Sequence, residues 1–194
     1  MYKVFFNQKP LILTSEIIKS TDSNPLIYIK FSSKNQILKA IKSKKTKSVY
    51  IYHKNMKKLW KIFTKKFPIK NAAGGLVQRN DDKFLFIYRK KKWDLPKGGI
   101  EKNELIIEAA QREVKEETGV ADLIVIGKIG ETYHIFNNGK TYRLKRTYWF
   151  RMRSDYKGEL MPQEEEGITS VLSLIHISEP TRRTPISYAV FCLK

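Results

Sequence analysis

Three glutamates, Glu113, Glu116 and Glu117, stand at i, i+3 and i+4 in the stretch EAAQREVKEETG that covers residues 108–119. On a helix that spacing puts all three carboxylates on one face, within a turn of one another. Like charges so placed repel, so a cation should sit among them, and three hard oxygen donors on a rigid support suit Mg²⁺ or Mn²⁺. The helix needed to hold them is written into the same residues. ELIIEAAQREVKEE, from Glu104 to Glu117, has helix-forming composition, and Leu105, Ile106, Ala109, Ala110 and Val114 recur as an apolar stripe. Gly119 then provides a C-cap. Glu104 and Arg112 lie eight residues apart, two turns along, which brings them to nearly the same side and is compatible with an ion pair.

Taken whole, GGIEKNELIIEAAQREVKEETGV (98–120), led in by Trp93-Asp94-Leu95-Pro96-Lys97, resembles the signature box of the Nudix hydrolases at every fixed position. The resemblance implies an α/β/α sandwich with a mixed sheet and a loop-helix-loop, and a magnesium-dependent hydrolysis of pyrophosphate bonds in which water attacks phosphorus. It further implies that Glu116 and Glu117 ligate the metal with Glu113 sharing the cluster, and that the Gly98 carbonyl joins them. A residue without a side chain at position 98 leaves room for that approach. Arg112 would orient a catalytic glutamate and Glu104 would support the loop. The general base stays open between Glu113, Glu117, Glu165 and Glu166, because members of the family take it from the helix or from a downstream loop. The sequence departs from the family in two places. Asn103 stands where glycine is usual, and asparagine tolerates a left-handed backbone best among the other residues. Pro96-Lys97-Gly98 replaces the common Pro-Gly-Gly, as in members acting on dinucleoside polyphosphates or diphosphoinositol polyphosphates.

Phosphates beyond the metal need cations. Arg89, with Lys90, Lys91 and Lys92 after it, and Lys97 offer an electropositive rim beside Trp93, whose own role is read as packing. His134 alternates with apolar neighbours in TYHIF and reads as a strand residue, not a ligand.

Residues 69–171 form the domain that carries the box. Ala72 to Val77 and Lys83 to Tyr88 read as a hairpin around Arg79-Asn80-Asp81-Asp82, followed after the box helix by two long strands, 122–136 and 142–153, around Asn137-Asn138-Gly139-Lys140. A further edge strand begins at Gly158, and Glu164-Glu165-Glu166 precedes a closing strand; that acidic run is equally compatible with an ordinary charged loop. Ahead of this domain, residues 1–68 form a small basic α/β unit. Its elements are a hairpin over 2–14, a strand over 25–31, a helix capped by Ser33, a strand over 48–53 and a second helix over 54–67 that Pro68 ends. Residues 172–194 (LSLIHISEPTRRTPISYAVFCLK) read as a translated sequencing adaptor with no native structural role, so the domain is expected to be cut short near Val171.

The net charge is +19, from 38 basic and 19 acidic residues, and the single cysteine, Cys192, lies in that last segment. Without it 35 basic and 18 acidic residues remain, a charge of +17. Such an excess fits a solvated lysine coat as well as a polyanion-attracting field, so nucleic acid is a possible partner but not the favoured one. No apolar run approaches the roughly 20 residues of a membrane span and no signal-peptide layout opens the chain, which points to a cytoplasmic protein. The expected partner is a polyphosphorylated small-molecule substrate. The rival to the enzyme is a ligand-sensing or nucleic-acid-binding module on the same fold; oligomeric state is left open.

Overall fold

A computed structural model describes residues 1–79 and 83–174, so the turn residues Asn80, Asp81 and Asp82 and the segment 175–194 with Cys192 lie outside the described residues. The chain falls into two units, Met1–Lys70 with Tyr133–Arg146, and Asn71–Thr132 with the chain from Thr147 onward.

In the first unit, alternating apolar residues make β1 (Tyr2–Phe6) and β2 (Lys9–Thr14), an antiparallel hairpin turned at Asn7, whose φ of 54° is left-handed. The strand expected over 25–31 is shorter, β3 (Leu26–Tyr28), and its last three residues tighten into a 3-10 turn that buries Ile29. Ser33 caps α1 (Lys34–Lys42) with a full capping box: its hydroxyl accepts the Gln36 N–H at 3.2 Å and the Gln36 side chain accepts the Ser33 N–H at 2.7 Å. That crossover lets β4 (Val49–Tyr52) run parallel to both β3 and β2. Asn55 caps α2 (Met56–Lys66), which ends at Phe67 ahead of Pro68. Leu11, Leu13, Ile37, Ile41, Leu59 and Phe63 are fully buried between these helices and strands.

In the second unit, β5 (Ile69–Arg79) pairs with β6 (Phe84–Arg89), which turns through Lys90 and Lys91 into the short β7 (Lys92–Asp94). Next, β8 (Lys97–Gly99) lies antiparallel on β5, Gly98 opposite Ala73. The box helix is α3 (Ile106–Thr118), followed by the long strands β9 (Ile124–Asn137) and β10 (Tyr142–Ser154), which also supply the Tyr133–Arg146 segment of the first unit. The closing strand, β11 (Ile168–Leu174), pairs antiparallel with β6 and includes Leu172, Ser173 and Leu174. Strand neighbours within this unit run β11, β6, β5, β10, β9. The first unit pairs its strands both antiparallel and parallel, so its sheet is mixed, and the α/β class holds.

Two expectations are corrected. No strand forms at Gly158–Leu160; the backbone there turns, and the Met161 N–H donates to the Thr118 carbonyl at 3.0 Å. The apolar stripe of α3 is also narrower than its sequence suggests. Leu105 and Ile106 are 62% and 38% exposed, and the helix is buried instead on Ala109, Ala110, Val114, Glu113 and Glu117. Gly75 makes the close packing possible, since a Cβ there would come within 2.9 Å of both Val114 Cγ2 and Met152 Sδ.

Candidate active site

Packing α3 on its small residues turns the carboxylate face inward, and that sets the chemistry of the site. Gly119 ends the helix in the left-handed conformation at φ 75°, and Asn103 adopts φ 67° in the loop before it, as its residue type allows.

Arg112 organises one half of the cluster. Its Nε donates to Glu104 Oε1 at 2.7 Å and its Nη2 to Glu104 Oε2 at 3.0 Å, a forked pair in which Glu104 comes from the loop before α3 and not, as expected, from the helix itself. The same Nη2 donates to the Gly99 carbonyl at 2.9 Å, while Nη1 donates to Glu113 Oε1 and Glu116 Oε2, each at 2.9 Å. Glu104 in turn accepts the Glu101 N–H at 2.8 Å, which ties the loop to the helix. The guanidinium holds the Glu104 carboxyl below its ordinary pKa, and the Glu104, Glu113 and Glu116 carboxylates raise that of Arg112.

Glu117 organises the other half. It is fully buried, accepts the Lys97 N–H at 2.7 Å on Oε2 and receives Arg89 Nη1 at 3.2 Å on Oε1. Arg89 Nη1 also reaches Glu166 Oε2 at 3.0 Å. Burial pushes the Glu117 carboxyl up to about 7 against the pull of Lys97 and Arg89, and raises Glu113 against the pull of Arg112.

The structure therefore brings together Glu104, Arg112, Glu113, Glu116, Glu117, Glu166 and Arg89. Glu165 lies exposed in the 3-10 turn Glu164–Glu166, and none of the cluster's hydrogen bonds go to it. Two expected rim cations are placed differently. Arg89 belongs to the carboxylate cluster, and the Lys97 ammonium pairs with Asp94 Oδ2 at 2.5 Å and the Leu95 carbonyl at 3.2 Å. Asp94 was missed in the sequence, although its i, i+3 spacing from Lys97 was the available signal. Trp93 packs as read, 4.9 Å from the Tyr88 ring and against Phe86, Leu95 and Trp149.

The donor set suits a hard divalent ion. Five carboxylates meet two guanidiniums, so negative charge is in excess when all are ionised. A Cβ at Gly98 would collide with the Glu113 carboxylate, so only glycine leaves that carboxylate free to face the β8 backbone. As arranged, no three acidic side chains among the described residues converge at ligand distance, because Arg112, Arg89 and the Lys97 N–H occupy their oxygens.

Residues 68–191 match the model of the NUDIX domain, and the chain belongs to the Nudix family. It is similar to the RNA pyrophosphohydrolase of Pelagibacter ubique, 32% identical over 99 residues that cover 44% of this chain and 62% of that protein. It also resembles the RNA pyrophosphohydrolase of Sphingopyxis alaskensis, 32% identical over 102 residues, 45% of this chain and 65% of the relative. The chain thus spans less than two thirds of the length of either. Among solved structures it is similar to the MutT NUDIX hydrolase from Burkholderia pseudomallei, with 21% identity and a TM-score of 0.49 over 64% of this chain and 95% of the other. Among the described residues no helix is long and apolar enough to cross a membrane.

Proposed function

We propose that this chain is a divalent-metal-dependent pyrophosphohydrolase whose substrate is a nucleotide-linked polyphosphate, with the 5′-polyphosphorylated end of RNA the preferred member of that class. The observation that carries the reading is the buried acidic cluster of α3 facing Gly98 and braced by Arg112 and Arg89. Glu113, Glu116, Glu117 and the Gly98 carbonyl would hold Mg²⁺ or Mn²⁺. Such an ion supplies charge neutralisation at the phosphoryl oxygens and a water of lowered pKa.

The protein's own groups do the rest. Arg112 fixes Glu113 and Glu116 side by side through one nitrogen, so each carboxylate is oriented before substrate arrives. Glu117, held by the Lys97 N–H and the Arg89 guanidinium, is oriented as a candidate base or metal ligand. Arg89 draws Glu166 from the downstream turn to the same place, which makes Glu166, not Glu165, the loop's candidate base.

The RNA preference is supported by the name that both relatives carry, RNA pyrophosphohydrolase. Lys90, Lys91 and Lys92 remain as rim cations, and attraction to several phosphates weakens as salt rises. With Mg²⁺ present, kcat/KM for a 5′-triphosphorylated RNA oligonucleotide should exceed that for ADP-ribose at least about tenfold at low salt, an advantage that shrinks once the Debye length falls below about 8 Å. Equal or better turnover of ADP-ribose across the salt series would contradict the substrate assignment.

A further inference from the structure

The first unit holds 21 basic and 2 acidic residues and the remainder of the chain 17 of each, so the whole net charge of +19 resides in the first unit. A coat spread for solubility would have no reason to spare the other unit. Within the first unit the charge is also shaped. A groove of about 810 Å³ lies between α1 and the β9–β10 turn, with Lys34, Lys39 and Lys42 on one wall and Lys140 and Tyr142 on the other. No acidic residue lines it, and none of these four lysines is ion-paired among the described residues.

The groove is built, not incidental. Lys34 Nζ donates to Thr141 Oγ1 and to the Tyr142 carbonyl, both at 2.7 Å, which fastens the first turn of α1 to the opposite wall. Lys42 Nζ lies over the face of the Tyr142 ring, 4.7 Å from its centre, and the same ring meets Phe6 at 5.9 Å. Asn35 and Asn137 add amides that can donate and accept. From Lys34 to Lys42 the helix rises about 12 Å, too far for one phosphate to satisfy the row and suited to several in succession.

We propose that this groove binds the backbone of single-stranded RNA, phosphates on the lysines and a base on the Tyr142 face from which a phosphate draws the Lys42 ammonium away. A charged track with an aromatic platform is how single strands are held without sequence preference, whereas a duplex hides its base faces. The anion site rests on the groove alone; the choice of RNA rests on the proposed substrate class.

The test titrates the full-length protein with a labelled 5′-hydroxyl RNA oligonucleotide, which has no pyrophosphate bond, so binding is read even if the chain hydrolyses nothing. Lys39→Ala/Lys42→Ala/Lys140→Ala should weaken binding at least about tenfold at 0.1 M salt and lower the slope of log K against log salt by about 2, near 0.7 per lost phosphate contact. Turnover of a small diphosphate substrate should be unchanged. The control Lys57→Ala/Lys58→Ala/Lys61→Ala removes the same charge from the exposed face of α2 and should cost less than about threefold. Equal losses from the two triples, or no loss from the groove triple, would overturn the proposal. So would equal affinity for duplex RNA, or competition by inorganic tripolyphosphate as strong as by the strand. Equal binding of single-stranded DNA would overturn the assignment to RNA and leave a single-strand site.

Discussion

The two units handle charge in opposite ways. In the first, 21 basic residues stand against 2 acidic ones, and many of the cations are carried on exposed faces such as that of α2. In the second, basic and acidic residues balance, and the organising cations, Arg112 and Arg89, are only 26% and 23% exposed, each bound to more than one carboxylate. Balanced charge is what a low-dielectric site demands, because a buried carboxylate without a partner is costly. Unbalanced charge is tolerable only in water, where it acts at a distance. A single net value for the chain therefore describes neither unit.

If the balanced unit does the chemistry, its most sensitive point is where backbone meets carboxylate. Gly98→Ala should lower kcat about a thousandfold, because the added methyl collides with the Glu113 carboxylate and displaces a group positioned for catalysis. The thermal midpoint should also fall, because the displaced Glu113 carboxylate is buried and paired with Arg112. Steady-state kinetics beside a thermal melt check both halves of that expectation.

The second effect is on stability and depends on pH. Burial raises the Glu117 carboxyl from an ordinary 4.5 to about 7 in the folded protein, so the folded state binds this proton more tightly than the unfolded one. The resulting stability is complete below 4.5, is lost as pH rises toward 7, and is absent above it. Glu117→Gln removes that dependence. In chelator, the variant should match the wild type near pH 4.5 and be more stable by about 1 to 3 kcal/mol at pH 8, the upper figure reduced by the lost Arg89 contact. Urea melts at the two pH values would reveal it, and identical curves would remove the burial argument.

The smallest effect concerns the β6–β7 turn. Lys90 and Lys91 both have positive φ, 51° and 60°, a conformation that favours asparagine and glycine. Lys90→Asn with Lys91→Gly should raise stability by about 1 kcal/mol, read from the urea midpoint.

Much of the second unit was legible because its constraints are local. The i, i+3, i+4 glutamates, Gly119 as cap and Asn103 as a left-handed residue all follow from backbone geometry within a few positions. What escaped was set by distant partners. Arg89 looked like a rim cation until β6 and the Glu164–Glu166 turn were brought together on Glu117. Leu105 and Ile106 fit the helical period, yet α3 buries smaller residues because Gly75 lets it approach the sheet closely. In the first unit, the Ser33 cap and the basic character of the first 70 residues were plain in the sequence, and assigning Tyr133–Arg146 to that unit completed the segregation of charge. Backbone pairing is blind to side chains, so the place of Leu172–Leu174 in β11 is compatible with either origin of that segment.

Whether the α3 carboxylates hold a metal for pyrophosphate hydrolysis is tested most cleanly at Glu116. Its side chain is 45% exposed, so Glu116→Gln should fold normally. Measured as release of pyrophosphate or phosphate from a 5′-triphosphorylated oligonucleotide over a Mg²⁺ titration, the wild type should turn over only with metal, and the variant should lose at least about a hundredfold in kcat at saturating Mg²⁺. Wild-type turnover by the variant at saturating Mg²⁺ would show that Glu116 does not hold the metal.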